Sequence, residues 1–329
     1  MRIAIIGRTQ ILYETTKKLY EEGHQISCII TSKAEPEYSR TDKDFEQLAK
    51  KINIPFVLTS TLNKAEIEIL FKDLDAGVSV NWVSIIPQRH IDLFRLGILN
   101  AHLGDLPKYR GNAAANWAII NNEMKITNTI HFMEGGLLDC GRVIVQNHFD
   151  LTNDATISDV YKWAEETTPA LFVRALKEID NNHNYFLKYA KADSDESFRC
   201  YPRLPEDSFI DWNLSAINIH NLIRAVCYPF SGAYTYHWHK GEIKKLTILK
   251  SRVINNEAHD FAVPGHVLEN NNKTGESYVR CGSGIIALLE CKYDEEHEVF
   301  TPGKRWKSIR MRLGVRMDDW LWYIYKNKA

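Results

Sequence analysis

Two polar side chains at the end of an apolar run point to acyl-transfer chemistry. Asn100 and His102 stand two positions apart after Gly97-Ile98-Leu99, so in an extended segment their side chains project on the same side. An amide N–H can stabilise a developing oxyanion, and an imidazole can take or give a proton near neutral pH. A loop containing glycine and proline, residues 103–111, follows at once.

A carboxylate in a later loop could complete this set. Asp139 lies in the segment Glu134-Gly135-Gly136-Leu137-Leu138-Asp139-Cys140-Gly141, which is bracketed by glycines and separates two apolar runs. From such a loop its carboxylate can orient His102 or hold an attacking amine. Taken singly, each of these residue types also populates turns for purely structural reasons, so the spacing alone leaves both interpretations open.

The elements that must position these residues alternate apolar runs with helical patterns. Strands are predicted at four apolar runs: Ile3–Ile6, Ile26–Ile30, Ile54–Leu58 and Ala76–Val80. Helices are predicted near 10–22, 42–52, 62–73 and 155–180. Continuous apolar strands that alternate with helices predict a doubly wound, mostly parallel α/β sheet. Such sheets bind ligands beyond the carboxyl ends of their strands.

The loop after the first strand argues against a dinucleotide cofactor. It reads Gly7-Arg8-Thr9-Gln10, with one glycine where a dinucleotide fingerprint has three. Without the second glycine the backbone cannot approach a pyrophosphate as closely. We therefore interpret Gly7 as a tight strand-to-helix turn.

The pattern changes from about residue 200. One helical stretch, Leu214 to Val226, is followed by short strands near 233–238, 243–253, 264–269, 277–281 and 285–291. Regularly spaced short strands after an α/β half predict a smaller, β-rich, barrel-like domain. The predicted domains are residues 1–195, 196–300 and a terminal helix over 301–329.

The terminal segment has a composition of its own. Six apolar residues recur at helical spacing: Trp306, Ile309, Leu313, Met317, Trp320 and Ile324. Residues 303–329 also contain eight Lys and Arg but only two Asp. Such a basic amphipathic helix can pack on its own domain, dock on a partner such as a second copy of the chain, or lie on a membrane surface. We favour packing on its own domain over the other two.

Composition limits the classes of function. The 329 residues carry 41 Lys and Arg against 42 Asp and Glu, a balance too even for general attraction to nucleic acid. No apolar stretch is long enough to span a bilayer, and the first residues lack the features of a signal peptide. Six cysteines without a CxxC pair are typical of a reducing compartment, so a cytoplasmic location is expected.

His237 and His239 share a strand face but supply two ligands where a structural zinc has four, so no metal is expected.

The order of these motifs resembles the folate-dependent formyltransferases. Asn100-x-His102 is followed by Leu106-Pro107-Lys108-Tyr109-Arg110-Gly111 and then by Asp139-x-Gly141. Further on, Arg203-x-x-x-Asp207-Ser208-Phe209-Ile210-Asp211-Trp212 is similar to the opening of the C-terminal barrel-like domain that some members carry. The resemblance covers most of the chain. It implies N10-formyltetrahydrofolate as the formyl donor and a primary amine as the acceptor.

The resemblance also implies roles for the three polar residues. His102 would act as the base that removes a proton from the amine, and Asn100 would stabilise the tetrahedral oxyanion. Asp139 would position His102 and assist proton transfer. The folate would lie along residues 80–87, with Ile85 and Ile86 in its lining, and Leu137 and Asp139 would contact it from the later loop.

Four further residues are predicted to contact the acceptor. Trp82 could stack on it or belong to the core. Asp105 is either a substrate contact or a solvated loop acid; Gly104-Asp105 stands where the family usually has Ser-Leu. Arg110 and Arg203 are candidates for binding a nucleotide diphosphate.

Three acceptors compete within the family. Initiator tRNA would require a basic path, whereas the segment between Gly111 and Ile130 has Lys125 against Glu123 and no basic insertion. Glycinamide ribonucleotide formyltransferase is shorter and lacks the extra domain. We therefore predict a nucleotide-linked amino sugar, such as a dTDP-4-amino-4,6-dideoxyhexose used for cell-surface polysaccharide. The alternatives are a methionyl-tRNA formyltransferase and, from another class, a folate-binding scaffold without turnover, against which the intact Asn, His and Asp set argues.

Overall fold

The chain forms two compact units. The structure is a computed structural model and describes residues 1–36, 38–239, 241–254, 261–296 and 298–328, with side chains as far as 326. The N-terminal unit comprises residues 1–115, 125–150 and 159–202, and the C-terminal unit comprises 116–124, 151–158 and 203–329. The domain boundaries proposed above stay predictions.

The N-terminal unit is built on an eight-stranded sheet. Its region contains β1 (Arg2–Gly7), β2 (Gln25–Thr31), β3 (Phe56–Leu58), β4 (Ala76–Val80), β5 (Ile98–His102), β6 (Tyr109–Gly111), β7 (Lys125–Phe132), β8 (Gly141–Asp150), β9 (Lys188–Ala190) and β10 (Phe198–Cys200). The sheet order is β3-β2-β1-β4-β5-β7-β8-β9, while β6 and β10 pair separately. The first five strands of that order run parallel and the last three are antiparallel to their neighbours. The predicted doubly wound, mostly parallel fold is therefore confirmed.

The helices up to residue 181 are α1 (Gln10–Glu21), α2 (Asp42–Lys51), α3 (Ala65–Phe71), α4 (Gln88–Ile91), α5 (Ala114–Ile120) and α6 (Ile157–Asn181). Four helices, α1, α2, α3 and α6, occur where the sequence predicts them, and two short helices, α4 and α5, were not predicted. The helix predicted near 62–73 is shortened to α3. Among the described residues, none of the helices has the length and apolar character needed to cross a bilayer.

The two faces of the sheet form separate cores, and this alternation orients the polar residues. Ile3, Ile5 and Leu99 belong to one buried cluster. Ile6 and Ile98 belong to the other. Because side chains alternate along a strand, Asn100 and His102 point to the same face of β5 as Ile98. The strand therefore presents both polar groups at its carboxyl end, on one side.

The C-terminal unit is a curled antiparallel sheet. Its elements are α7 (Ala216–Ala225), β11 (Ala233–His239), β12 (Glu242–Ile254), β13 (Val267–Asn270), β14 (Ser277–Arg280), β15 (Ile285–Tyr293), β16 (Val299–Phe300), α8 (Pro302–Arg305) and α9 (Met317–Lys328). The strand order is β11-β12-β15-β14-β13, and β16 pairs with β15. This half-barrel and its terminal helix confirm the predicted β-rich, barrel-like part of the fold.

The terminal segment differs from the single long helix that was predicted. The short helix α8 and the helix α9 are separate, and residues 306–316 between them run as irregular backbone. Leu313 is buried, its N–H donates to Gly265 O at 2.8 Å, and Gly314 has φ 86°. Backbone groups that bond to another segment cannot close helical hydrogen bonds, so the apolar spacing across 306–316 reflects packing on the half-barrel. Ala329, the end of the predicted helix, lies outside the described residues.

Candidate active site

Asn100 and His102 lie where β5 ends, in the middle of the sheet. β5 pairs with β4 on one side and with β7 on the other, and Asn100 is opposite His131 in β7. Both Asn100 and His102 are buried. A central strand held by two neighbours leaves these side chains little freedom to move, which suits groups that must be aligned before a substrate arrives.

Four side chains form one connected polar cluster. Asn100 Nδ2 lies 3.3 Å from His131 Nε2. Asp139 faces both histidines, with Oδ1 3.7 Å from His131 Nε2 and Oδ2 3.5 Å from His102 Nδ1. The structure therefore brings the three predicted catalytic residues into one site and adds His131 between Asn100 and Asp139.

Asp139 is held by its backbone and by a main-chain donor. Its φ is 50°, in the left-handed region where Asp and Asn are among the few tolerated side chains. Gly111 N–H donates to Asp139 Oδ2 at 2.9 Å. Burial by itself would raise the pKa of this carboxyl, but the charges of His102 and His131 and the Gly111 bond outweigh it, so the pKa of Asp139 is lowered. The site thus holds a buried, ionised carboxylate at neutral pH.

Neighbouring carbonyl groups fix the tautomers of the two histidines. His102 Nε2 bonds to Tyr109 O, and a carbonyl oxygen only accepts, so Nε2 carries the proton. His131 Nδ1 lies 3.0 Å from Phe132 O and 3.2 Å from Cys140 O, so its proton is on Nδ1. In the neutral forms, His102 Nδ1 and His131 Nε2 are therefore the basic nitrogens.

His131 is a site residue that the sequence analysis does not identify. It is fully buried and contacts both Asn100 and Asp139. A signal was present: a histidine at a polar position of an otherwise apolar strand, eight residues before a loop carboxylate. The pairing of β7 with β5, which is nonlocal, was needed to place it beside Asn100.

The loop after His102 is tightly packed against the imidazole. A Cβ added at Gly104 would collide with His102 Nε2 and with Tyr109 O. Gly104 O also accepts a hydrogen bond from Thr129 Oγ1 at 2.8 Å. In this chain the loop therefore approaches His102 so closely that a side chain at position 104 has no room unless the loop or the imidazole moves.

Asp105 already has partners in the N-terminal unit. Its Oδ1 accepts from Gln146 Nε2 and lies 3.4 Å from Lys188 Nζ. The side chain is about one third exposed. These partners belong to the protein itself, so the predicted contact between Asp105 and the acceptor stays a prediction.

Three apolar residues predicted near the folate differ in exposure. Ile85 is 53% exposed and Leu137 is 46% exposed, whereas Ile86 is 1% exposed and belongs to the core. The loop of Ile86 touches that of Leu137 through Gly136 N–H, which donates to Ile86 O at 3.2 Å. Trp82 packs against the same core, and its buried Nε1–H has no hydrogen-bond partner among the described residues. Ile86 can therefore offer a ligand its backbone but not its side chain.

The two arginines lie in different units. In the N-terminal unit, the buried Arg110 guanidinium donates to protein acceptors: Ser197 Oγ at 2.6 Å, Leu138 O at 3.0 Å and Ala192 O at 3.4 Å. In the C-terminal unit, Arg203 stacks 5.0 Å from the Trp117 ring centroid and donates to Asp207 O. Neither arrangement tests a contact with a nucleotide diphosphate.

Two further sequence features are structural. Burial raises the pKa of the Cys140 thiol, against the opposing effect of nearby Arg110, so Cys140 is a neutral buried thiol rather than a nucleophile. His237 Nε2 lies 3.1 Å from Tyr293 Oη and its Nδ1 lies 3.1 Å from Trp238 O. Within the described ranges, no group of three or more His, Cys, Asp or Glu is arranged to hold a metal ion.

The family models that match this chain agree with the acyl-transfer chemistry of the site. Residues 1–176 match the family model described as formyl transferase, and residues 204–300 match the formyl transferase C-terminal domain. A methionyl-tRNA formyltransferase of Alkaliphilus oremlandii is 30% identical over 324 residues, which cover 96% of this chain and 95% of that protein. The bifunctional polymyxin resistance protein ArnA of Wigglesworthia glossinidia brevipalpis is 28% identical over 90% of this chain and 43% of its own length.

Two solved structures share the fold. WlaRD, a sugar 3N-formyl transferase crystallised with dTDP and 5-N-formyl-THF, has a TM-score of 0.63 at 21% identity and covers 90% of this chain and 98% of its own. An N-formyltransferase from Helicobacter canadensis, in complex with folinic acid and dTDP-3-aminofucose, has a TM-score of 0.61 at 20% identity and covers 87% and 98%. With the family models over both halves of the chain, the protein belongs to the formyltransferase family, the folate-dependent one-carbon transferases that use N10-formyltetrahydrofolate as donor.

Proposed function

We propose that the protein transfers the formyl group of N10-formyltetrahydrofolate to the primary amine of a nucleotide-linked amino sugar, such as a dTDP-4-amino-4,6-dideoxyhexose, for cell-surface polysaccharide synthesis in the cytoplasm. One observation carries the transfer chemistry: the buried cluster in which Asp139 faces His102 Nδ1 at 3.5 Å and Asn100 stands beside it on β5. Six unpaired cysteines support the reducing compartment.

The proposed reaction assigns one task to each polar residue. The amine nitrogen attacks the formyl carbon, forming a C–N bond and turning the carbonyl oxygen into an oxyanion. One N–H of Asn100 is used by His131, and the second is left to stabilise that oxyanion. His102 Nδ1 takes the proton that the amine loses. The carbonyl then re-forms as the bond from carbon to N10 breaks, N10 takes up the proton held by His102, and tetrahydrofolate leaves.

Asp139 would act on the proton that His102 receives. A neutral imidazole becomes a cation when Nδ1 is protonated, and an ionised carboxylate 3.5 Å away stabilises that cation. The lowered pKa of Asp139 keeps the carboxylate ionised throughout the neutral range, since burial is outweighed by the two histidines. In this proposal Asp139 orients the His102 imidazole and stabilises its protonated form, and the carboxylate itself stays ionised.

The binding residues follow from exposure. Ile85 and Leu137, both exposed apolar side chains on loops that touch each other, are proposed to cover the flat face of the folate. Ile86 would contribute main-chain contacts and Trp82 the buried support of that loop. Asp105, Arg110 and Arg203 remain our candidates for the acceptor.

Two observations favour an amino sugar over tRNA as the acceptor. The stretch between β6 and β7 is a short helix and turn without basic residues before Lys125, which leaves no basic insertion for a nucleic acid. Of the two similar structures named above, one is of an enzyme named a sugar 3N-formyl transferase and the other holds dTDP-3-aminofucose. The second candidate is formylation of methionyl-tRNA, which is favoured by the curated relatives of that name at 26–31% identity.

A direct assay distinguishes formylation of an amino sugar, formylation of methionyl-tRNA and a scaffold without turnover. The purified chain is incubated with N10-formyltetrahydrofolate and a panel of dTDP-, UDP- and GDP-linked amino sugars, and tetrahydrofolate release is followed together with the mass of the product. We expect release that depends on one sugar class and is lost in Asn100→Ala. Formylation of methionyl-tRNA with no response to any sugar would transfer the proposal to the second candidate. No release with either acceptor would favour the scaffold.

A further inference from the structure

The terminal helix α9 packs with one face only. Trp320 lies edge-on to Tyr236 with ring centroids 5.1 Å apart. Tyr323 meets Trp238 at 5.6 Å in the same geometry. Tyr236 and Trp238 are outward-facing positions of β11, so these contacts fix the helix to the outside of the half-barrel.

A second face of α9 is apolar and uncovered. Met317, Leu321, Ile324 and Tyr325 have the spacing i, i+4, i+7 and i+8, which places them on one side of a helix. Their exposed fractions are between 45% and 78%. We call these four residues the exposed stripe. A surface of this kind, contiguous and apolar, marks an interaction site on a protein that otherwise buries such residues.

The charge of the stretch that leads into α9 indicates the nature of the partner. Residues 303–316 carry a net +6, α9 itself carries two Asp against two Lys, and the rest of the chain carries −7. Lys307, Arg310 and Arg312 are exposed and, in the part of the chain that the structure describes, form no ion pair. Lys326 follows the stripe and lies over the Trp322 ring at 5.1 Å. The partner therefore presents negative charge together with an apolar phase.

We propose that the segment 303–328 binds the surface of an anionic lipid bilayer. The exposed stripe would enter the boundary between headgroups and acyl chains, and the basic side chains would lie among the headgroups. Two such segments, each at +6, repel each other, which disfavours a second copy of the chain as the occupant. A nucleic acid would satisfy the charge but offers no apolar phase to the aliphatic side chains of Met317, Leu321 and Ile324.

The proposal predicts how strongly each group contributes to binding. Each Lys or Arg near an anionic leaflet strengthens binding by about fivefold at physiological salt. Lys307→Ala should therefore weaken binding by about fivefold, and the contribution should vanish as salt screens the surface. A carboxylate in the stripe must be desolvated on insertion, so Leu321→Asp should weaken binding by at least tenfold.

The test is flotation of the full chain with vesicles. Phosphatidylcholine vesicles are compared with vesicles that also contain phosphatidylglycerol. Ile69→Asp and Lys273→Ala are the matched controls, an exposed apolar residue on α3 and an exposed lysine in the turn between β13 and β14. We expect binding only to the anionic vesicles, loss with Leu321→Asp, weakening with Lys307→Ala and no change in either control. Far-UV circular dichroism of each variant distinguishes lost binding from lost folding.

Several outcomes would overturn the proposal. Equal binding to both kinds of vesicle would refute the role of charge, and equal loss in the two controls would refute the role of the stripe. Concentration-dependent dimerisation without lipid, abolished by Leu321→Asp in analytical ultracentrifugation, would assign the stripe to a second copy. Failure to bind vesicles combined with retention of bulk tRNA, lost in Lys307→Ala, would assign the segment to a nucleic acid.

Discussion

Replacing Asp139 with asparagine tests the core of the catalytic argument with little damage to the fold. Asparagine tolerates the φ of 50° at this position, and its amide oxygen can accept the hydrogen bond from Gly111 N–H. The volume is unchanged, so His131 and Cys140 keep their surroundings. What Asp139→Asn removes is the negative charge beside His102.

The size of the effect follows from the geometry. Opposite unit charges at the 3.5 Å between His102 Nδ1 and Asp139 Oδ2 attract with about 5 kcal/mol at an effective dielectric constant of about 20. Both side chains are about nine-tenths buried, so solvent screening reduces this only modestly. Since about 1.4 kcal/mol changes a rate tenfold, we expect kcat/KM to fall by about 10³-fold.

The assay is steady-state release of tetrahydrofolate with the best acceptor, for the wild type, Asp139→Asn and Asp75→Asn. Asp75 is also an ion-paired carboxylate, with Oδ1 3.1 Å from Arg95 Nε. Because Asp75 precedes the amino end of β4, Asp75→Asn should leave the rate unchanged. Urea unfolding at pH 7 verifies that both variants fold. If Asp139→Asn kept a tenth or more of the wild-type rate, the carboxylate would not be stabilising an imidazolium in the transition state.

Three further predictions concern single groups. Asn100→Ala should lower kcat by 10²-fold or more through loss of the oxyanion donor, and an unchanged kcat in steady-state kinetics would exclude that role. Gly104→Ala should displace the His102 imidazole and lower kcat by about 10²-fold with little change in KM, because its Cβ has no room beside the ring; full activity would show that the loop yields. In the half-barrel, burial and then the charge of His239 lower the pKa of His237 to about 4, below the ~6.5 of an unfolded chain. The unfolded state therefore binds the proton first as the pH falls, and the free energy of unfolding should drop by about 2 kcal/mol between pH 7 and pH 5. Urea unfolding at both pH values should show a drop that is larger in the wild type than in His237→Gln by this amount, because the lowered pKa values of His24, His90 and His220 contribute to both.

The apolar runs and helical periods of the sequence were sufficient to predict the fold class. Strands such as Ile3–Ile6 and Ala76–Val80 are buried on both faces and therefore read as continuous apolar runs, and the helices between them keep a clear period. The terminal segment shows where the same reasoning fails. Leu313 has helical spacing to Met317, but its backbone bonds to Gly265, and that pairing joins positions far apart in the sequence.

The site was predictable to the extent that its residues lie on alternate positions of one strand or in one loop. Asn100 and His102 share a face because strands alternate, which sequence alone provides. His131 joins them only through the antiparallel register between β5 and β7, which no local pattern specifies. The burial of Ile86 beside the exposed Ile85 likewise depends on how the loop turns, because two adjacent apolar residues look alike in sequence.

Hydrogen-bond partners, rather than position alone, decide which of the two histidines can act as the base. Both have their basic nitrogen within 4 Å of Asp139, as expected for a pair that shares one carboxylate. The basic nitrogen of His131 already accepts from Asn100 Nδ2, and taking a proton there would break that contact and release the amide that is proposed to meet the oxyanion. The basic nitrogen of His102 lies 3.5 Å from Asp139 Oδ2, so a proton taken there gains an ion pair and leaves the bond from His102 Nε2 to Tyr109 O in place. Proton transfer to His102 therefore preserves the orientation of Asn100, whereas transfer to His131 would disrupt it, and the two roles are separated within one cluster.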